Sequence, residues 1–152
     1  MEKDMLVKAL MNQLLVENNR ELAERLAENC QVENVEKGKI IMEEDTSGNE
    51  LLMILSGKFQ VFVGGTRLSE LSEGNHVGDM AIVDPDSKRS ATIVAGEDSV
   101  VARIDGEHFS AVAESYPQLW KNLAVELANR LRQTNRWMTE WEPKPRDPDI
   151  EE

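Results

Sequence analysis

The chain is poor in the residues that usually announce chemistry. It has one cysteine, Cys30, so it cannot close an internal disulfide, and nothing points to an oxidising compartment. Cys30 reads either as a small residue near a helix end or as a reactive thiol. There are two histidines, His76 and His108, and no spacing offers a zinc site; both are expected at the surface or half-buried. A jelly-roll metalloenzyme would need a histidine cluster on its strands, so no metal or cofactor is expected. No phosphate-loop or dinucleotide glycine motif occurs, nor an elbow-type serine. Carboxylates abound, but none forms a persuasive acid/base pair, and an excess of acid is usually a solvated face. An enzyme is therefore not expected.

Positive charge is scarce as well. Lysine and arginine number 17 against 29 acids, giving a net charge of −12. That field repels phosphate backbones and argues against DNA as a partner, although a local donor cluster can still hold one small anion. Long apolar runs are missing. The N-terminal "MEKDMLVKAL" carries acids and is no signal peptide, and nothing approaches a membrane span. A cytoplasmic protein with no membrane partner is the expectation.

What is present is a chain of 152 residues, the size of one domain, with 40% apolar and 30% charged residues. Residues 1–30 form an N-terminal helical segment in which Leu6, Leu10, Leu14, Leu15, Leu22 and Leu26 recur near helical spacing and are expected in the core. Asn18-Asn19 is a candidate break into two helices. From 31 to 104 the texture changes to short apolar runs with glycine punctuation: "KIIM", "LLMIL", "KFQVFV", "TRLSEL", "SATIVA" and "SVVARI". Gly64-Gly65 makes a good hairpin turn. Many short strands at regular spacing indicate a sandwich, barrel or jelly roll. Residues 105–141 return to helix, with Asp105 a plausible N-cap and Pro117 in the first turn of a long final helix. Pro143, Pro145 and Pro148 stop it, and 142–152 is expected to be a disordered acidic tail.

The long helix carries a seam. Trp120, Ala124, Leu127, Leu131, Thr134, Met138 and Trp141 are spaced alternately four and three apart. The seam packs either on its own domain or against its copy in a homodimer.

The stretch "HVGDMAIVDPDSKRSATIVA", residues 76–95, is the least generic. Gly78 followed by helix-compatible residues can open a single helical turn whose free N–H groups make an anion site without charge. Arg89, after the loop, offers a planar fork that matches two phosphate oxygens. Ser90 adds a hydroxyl and Ala91 a backbone donor. Asp79 suits a sugar hydroxyl better than a phosphate. One end of the loop fits phosphate and the other ribose, as a cyclic phosphate ester requires. The competing account caps a helix with Asp79 and pairs Arg89 with Asp84 or Asp86 at the surface.

Residues 35–136 resemble a cyclic-nucleotide-binding domain of the catabolite-activator and protein-kinase-regulatory-subunit type. "EKGKIIMEEDTSGNELLMILSGKFQVF" is similar to the first half of that β-roll. "LSEGNHVGDMAIVD" and "KRSATIVA" resemble the two ends of its phosphate-binding cassette, and "FSAVAESYPQLWKNLAVELANRLRQTN" resembles the closing helices. The resemblance implies an α+β fold: an antiparallel, jelly-roll-like β-roll with N-terminal helices and a long C-terminal helix. It implies that Gly78 and the N–H groups of Asp79, Met80 and Ala81 meet ribose and phosphate, that Asp79 holds the ribose hydroxyl, and that Arg89, Ser90 and Ala91 hold the phosphate. Thr134 and Asn135 fall where the activators' long helix reaches adenine, one residue from each subunit of a dimer. Ser90, in place of the threonine that accompanies cyclic GMP, looks like the cyclic AMP readers.

Two positions depart from the family pattern. Asp79 stands for the usual glutamate, one methylene shorter, and the Glu43-Glu44-Asp45 loop lacks a glycine often found there. Too few residues follow the long helix for a winged helix-turn-helix, so a DNA-binding activator is not expected. The sequence reads as a cyclic-nucleotide sensor or regulatory module. It favours cyclic AMP over cyclic GMP and signals through its C-terminal helix to a dimer or an effector protein. The alternative is a degenerate fold serving dimerisation or docking without nucleotide.

Overall fold

The computed structural model describes residues 1–141; the expected acidic tail, 142–152, lies outside the described residues. Two helices, α1 (Lys3–Met11) and α2 (Arg20–Asn29), precede the strands β1 (Gln31–Val35), β2 (Ile40–Met42), β3 (Glu50–Ser56), β4 (Lys58–Val63), β5 (Thr66–Ser72) and β6 (His76–Val77). A five-residue helix α3 (Asp79–Val83) and strands β7 (Thr92–Ala95) and β8 (Ser99–Asp105) follow, then helices α4 (Gly106–Ser115) and α5 (Gln118–Trp141).

The strands form two antiparallel four-stranded sheets, β1-β8-β3-β6 and β2-β7-β4-β5. This is the expected α+β roll. The first sheet is covered on both faces, which explains why "LLMIL" is continuously apolar rather than alternating. Leu51, Met53 and Leu55 face the helices with Leu10, Leu26, Phe109 and Leu123. Leu52 and Ile54 point the other way, into the layer between the sheets, with Phe59, Val77, Ile93 and Val101. Among the described residues no helix is long and apolar enough to cross a membrane.

The N-terminal segment differs from one broken helix. Residues 12–19 are turns, with Glu17 and Asn18 at positive φ, and Asn19 caps α2 by accepting from the Leu22 N–H. The segment is tied to the core instead. Gln13 Nε2 donates to the Ile54 carbonyl at 2.7 Å, and Asn122 Nδ2 of α5 donates to the Leu15 carbonyl at 2.7 Å. Leu15 is buried, but Leu14 is 45% exposed, because helical periodicity stops at Met11. Asp105 caps α4 by accepting from the His108 N–H at 2.8 Å. His108 is half exposed, whereas His76 is fully buried, contrary to expectation. The cause is β6, which inserts its two residues beside β3, Met53 opposite His76.

The root of α5 is the part buried in the core, with Leu127 packed against its edge. Leu119, Asn122 and Leu123 are buried, and Trp120 meets Phe109 edge-on with ring centroids 5.2 Å apart. Farther out, Leu131 and Met138 are 62% and 65% exposed, so among the described residues nothing covers that part of the seam.

Candidate functional site

The site is built where β6 ends. Gly78 sits at φ +92°, ψ +9°, the left-handed region, and opens α3. A Cβ at Gly78 would lie 2.4 Å from the Glu50 carbonyl oxygen and 3.0 Å from Arg89 Nη1, so only glycine fits. The first turn of α3 therefore begins hard against β3. Asp79 does not cap it, since no side chain caps that end.

Residues 84–91 run from α3 to β7. Ser87 donates from Oγ to the Asp84 carbonyl at 2.7 Å. The end of the loop is strapped to the segment after β2: the Arg89 N–H donates to the Thr46 carbonyl and the Asp45 N–H to the Arg89 carbonyl, both at 2.8 Å. Asp45 adopts φ +65°, the conformation that a glycine in this turn would take without strain, and one that Asp tolerates better than most residues. Strapping fixes the Arg89 backbone; its Nη1 donates to the Glu50 carbonyl at 3.1 Å. Asp84 and Asp86 do not pair with it.

These pieces border a cavity of about 400 Å³, within the usual range for small-molecule sites. Gly78, Asp79, Met80 and Ala81 border it from the α3 side. Arg89, Ser90 and Ala91 border it from the loop, and Thr134 from α5. Asn135 does not border it; it lies exposed on α5 beside the outer seam. Much of the remaining wall is apolar, with Val61, Leu71 and Ile93 from the second sheet and Trp137 from α5.

Arg130 also borders the cavity and is not among the site residues expected from the sequence. It reaches from α5 and donates through Nη1 to Asp79 Oδ2 at 2.9 Å and through Nη2 to the His76 carbonyl at 2.5 Å. His76 Nε2 lies 3.4 Å from the same Oδ2, a close electrostatic contact rather than a well-formed hydrogen bond. Asp79 is 4% exposed. Burial pushes its carboxyl up, but the His76 contact and the Arg130 guanidinium outweigh burial and hold it below the usual carboxylate range. A signal existed in the sequence: Arg130 is four residues before Thr134, on the same face of a helix, and is basic. Nothing in the sequence alone named its partner 51 residues away.

A β-roll whose cavity is bordered by an arginine, by the first turn of a short helix and by a buried acid has the build of a small-ligand-binding module. The chain belongs to the cyclic nucleotide-binding domain family, whose model matches residues 32–116. It is 38% identical over 130 residues to the Pycsar effector protein PaPycTIR of Pseudomonas aeruginosa, covering 86% of this chain and 42% of that protein. The chain thus spans less than half the length of that relative. The crystal structure of Thermus thermophilus catabolite activator protein superposes with a TM-score of 0.74 at 29% identity, over 83% of this chain and 61% of that one. The cAMP-bound PfPKA-R superposes with a TM-score of 0.75 at 16% identity, over 91% of this chain and 46% of that one, a likeness of fold.

Proposed function

We propose that the chain is a sensor module that captures a cyclic nucleotide in the cavity between α3, the 84–91 loop and α5. The observation that carries the reading is the convergence of Gly78, Arg89, Ser90 and Ala91 on one cavity that α5 closes with Thr134 and Trp137. In this reading Arg89 and Ser90 hold the phosphate with the Ala91 N–H, and the amides after Gly78 complete its shell. Asp79 accepts from the ribose hydroxyl. Both existing contacts of its carboxylate fall on Oδ2, so the hydroxyl meets the acid alongside Arg130 or displaces it. Thr134 and the Trp137 ring face the base. Ser90 favours cyclic AMP over cyclic GMP.

Capture is passed on through α5, because Arg130 joins the cassette to that helix and any shift at Asp79 is felt there. The output is a homodimer through the uncovered seam around Leu131 and Met138, with Asn135 reaching the partner's cavity, or an effector. The effector role belongs by name to PaPycTIR and is extended to this chain as part of the proposal. One observation favours the degenerate interaction module instead: Asp79 is already engaged by Arg130.

Calorimetric titration of wild type and Arg89→Leu with cyclic AMP, GMP, CMP and UMP decides between them. Saturable heat lost in the variant supports the sensor, and the order of affinities reads the base. No heat from folded protein at several temperatures rejects the sensor and leaves the interaction module. Binding that leaves Trp137 fluorescence unchanged would sink the α5 part alone.

A further inference from the structure

Arg89 borders two cavities. In front lies the one just described; behind it is a second, of about 350 Å³, bordered also by Gly48, Glu50 and Arg103. A Cβ on Gly48 would lie 2.5 Å from Arg89 Nη2 and 2.8 Å from Nε, so the guanidinium occupies space that only glycine leaves open. Glu50, whose carboxylate is the natural kind of partner for a guanidinium fork, borders the back cavity as well. Yet Arg89 takes only the Glu50 carbonyl, and among the described residues no carboxylate lies within 4.0 Å of it.

The reason is Arg103. Its Nη1 donates to Glu50 Oε1 at 2.8 Å, while its Nε and Nη2 donate to Glu33 Oε2 at 3.1 and 2.6 Å. Lys39 Nζ lies 3.3 Å from the other Glu33 oxygen. A ladder of alternating charge, Lys39–Glu33–Arg103–Glu50, therefore crosses β1, β8 and β3 and stops just short of Arg89. Glu50 divides its two acceptors between the arginines, carbonyl to Arg89 and carboxylate to Arg103.

We propose that Arg103 is a positioning residue for anion capture: by occupying the Glu50 carboxylate it keeps the Arg89 donors that the Glu50 carbonyl does not take available to the front cavity. Arg89 does feel both neighbours. Burial lowers the value at which it would lose its proton, the Glu50 charge raises it and the Arg103 charge lowers it. Without Arg103, the half-buried Glu50 carboxylate has Arg89 as the cation at hand in that cavity. A bidentate pair between them would consume the donors a phosphate needs. Glu33 is held by the same Arg103 but borders neither cavity at Arg89, so it serves as an equally charged control.

The test rests on the nucleotide reading above and is built to separate from it. Binding of the four cyclic nucleotides is measured on wild type, Arg103→Met, E50Q/R103M and E33Q/R103M. The two double variants carry the same net charge. Arg103→Met is expected to bind about tenfold more weakly, E50Q/R103M to return to within about twofold of wild type, and E33Q/R103M to stay weak. Unchanged affinity in Arg103→Met, or equal rescue by both doubles, overturns the proposal, the latter by reducing it to general charge. Should Arg103→Met alone fail to fold, the comparison of the two doubles decides in the same way. If wild type takes none of the nucleotides, the sensor reading falls on its own, and the Arg89 Nε–Hε NMR resonance, assigned by its loss in Arg89→Leu, decides. A shift in Arg103→Met that reverts only in E50Q/R103M supports the proposal, and no shift overturns it.

Discussion

Replacing Arg130 with methionine keeps much of the side chain's reach and deletes its charge. Two bonds from α5 to the cassette vanish, one to Asp79 Oδ2 and one to the His76 carbonyl. The cost follows from burial. Breaking a fully buried ion pair by removing one partner costs about 3–5 kcal/mol, because the other charge is stranded. Here the Asp79 side chain is 6% exposed but that of Arg130 is 38% exposed, so solvent screens the outer half of the pair. About 2–3 kcal/mol is the discounted expectation. In a domain of this size about 1 kcal/mol moves the melting midpoint by about 2–4 °C, so the midpoint should fall by roughly 4–12 °C. Urea and thermal unfolding at pH 7 measure this, with Asp79→Asn and the double variant completing a cycle. A coupling of about 1 kcal/mol or more between the two sites is expected. The pH dependence has a definite sign. The Asp79 carboxyl is depressed in the folded protein, so its stabilisation is present above the unfolded value of about 3.9 and is lost as pH falls through the lower folded value. The advantage of wild type over Asp79→Asn should therefore shrink only in acid. A loss below about 0.5 kcal/mol in Arg130→Met, with no coupling to Asp79, would refute the reasoning.

Gly78→Ala should cost about 1–2 kcal/mol for its left-handed backbone alone, and more for the 2.4 Å approach to the Glu50 carbonyl; chemical denaturation reads the sum, and any nucleotide affinity should fall with it. Asn122→Ala leaves the Leu15 carbonyl without its donor in the core, and unfolding should show a loss of about 1–3 kcal/mol with no change at the cavity. Burial pushes the Cys30 thiol up to about 11 despite a partly offsetting backbone hydrogen bond, so iodoacetamide at pH 8 should alkylate it on the order of a hundredfold more slowly than a free thiol. Urea should abolish that protection, and rapid labelling of the folded protein would contradict it.

Legibility in the sequence followed the range of the interaction. Strands and turns are local, and "KFQVFV" with its glycine pair shows in the chain as plainly as in β4 and β5. The turn at Gly78 and the arginine at 89 were legible for the same reason, one through a backbone that only glycine adopts and the other through its position before a strand. Contacts made across the fold were not. His76 is polar and lies beside glycine-rich turns, yet pairing with Met53 buries it. Residues 12–19 have the composition of a helix, but Gln13 bonds to Ile54, 41 residues on, and the local pattern yields to that anchor. Nothing beside Asp79 in the chain announces Arg130, which meets it from a helix that begins 39 residues later. Such pairs depend on how the α5 root seats on the core, and no local pattern records that.

On the proposed capture mechanism, that seating would let α5 act as a mechanical arm. Its buried root ends at Leu123, and the helix continues to Trp141, about 27 Å farther at 1.5 Å per residue. Arg130 grips the cassette only about 10 Å along that length. A tilt about the root therefore reaches the far end with a gain of roughly 2.6 over the displacement at the grip. About 2 Å of give at Asp79 becomes about 5 Å at Trp141, comparable to the pitch of a helical turn. In the proposed sensor, a change no larger than the breadth of one hydrogen bond would thus be geared, by the length of the rod alone, to the scale on which one protein surface distinguishes another.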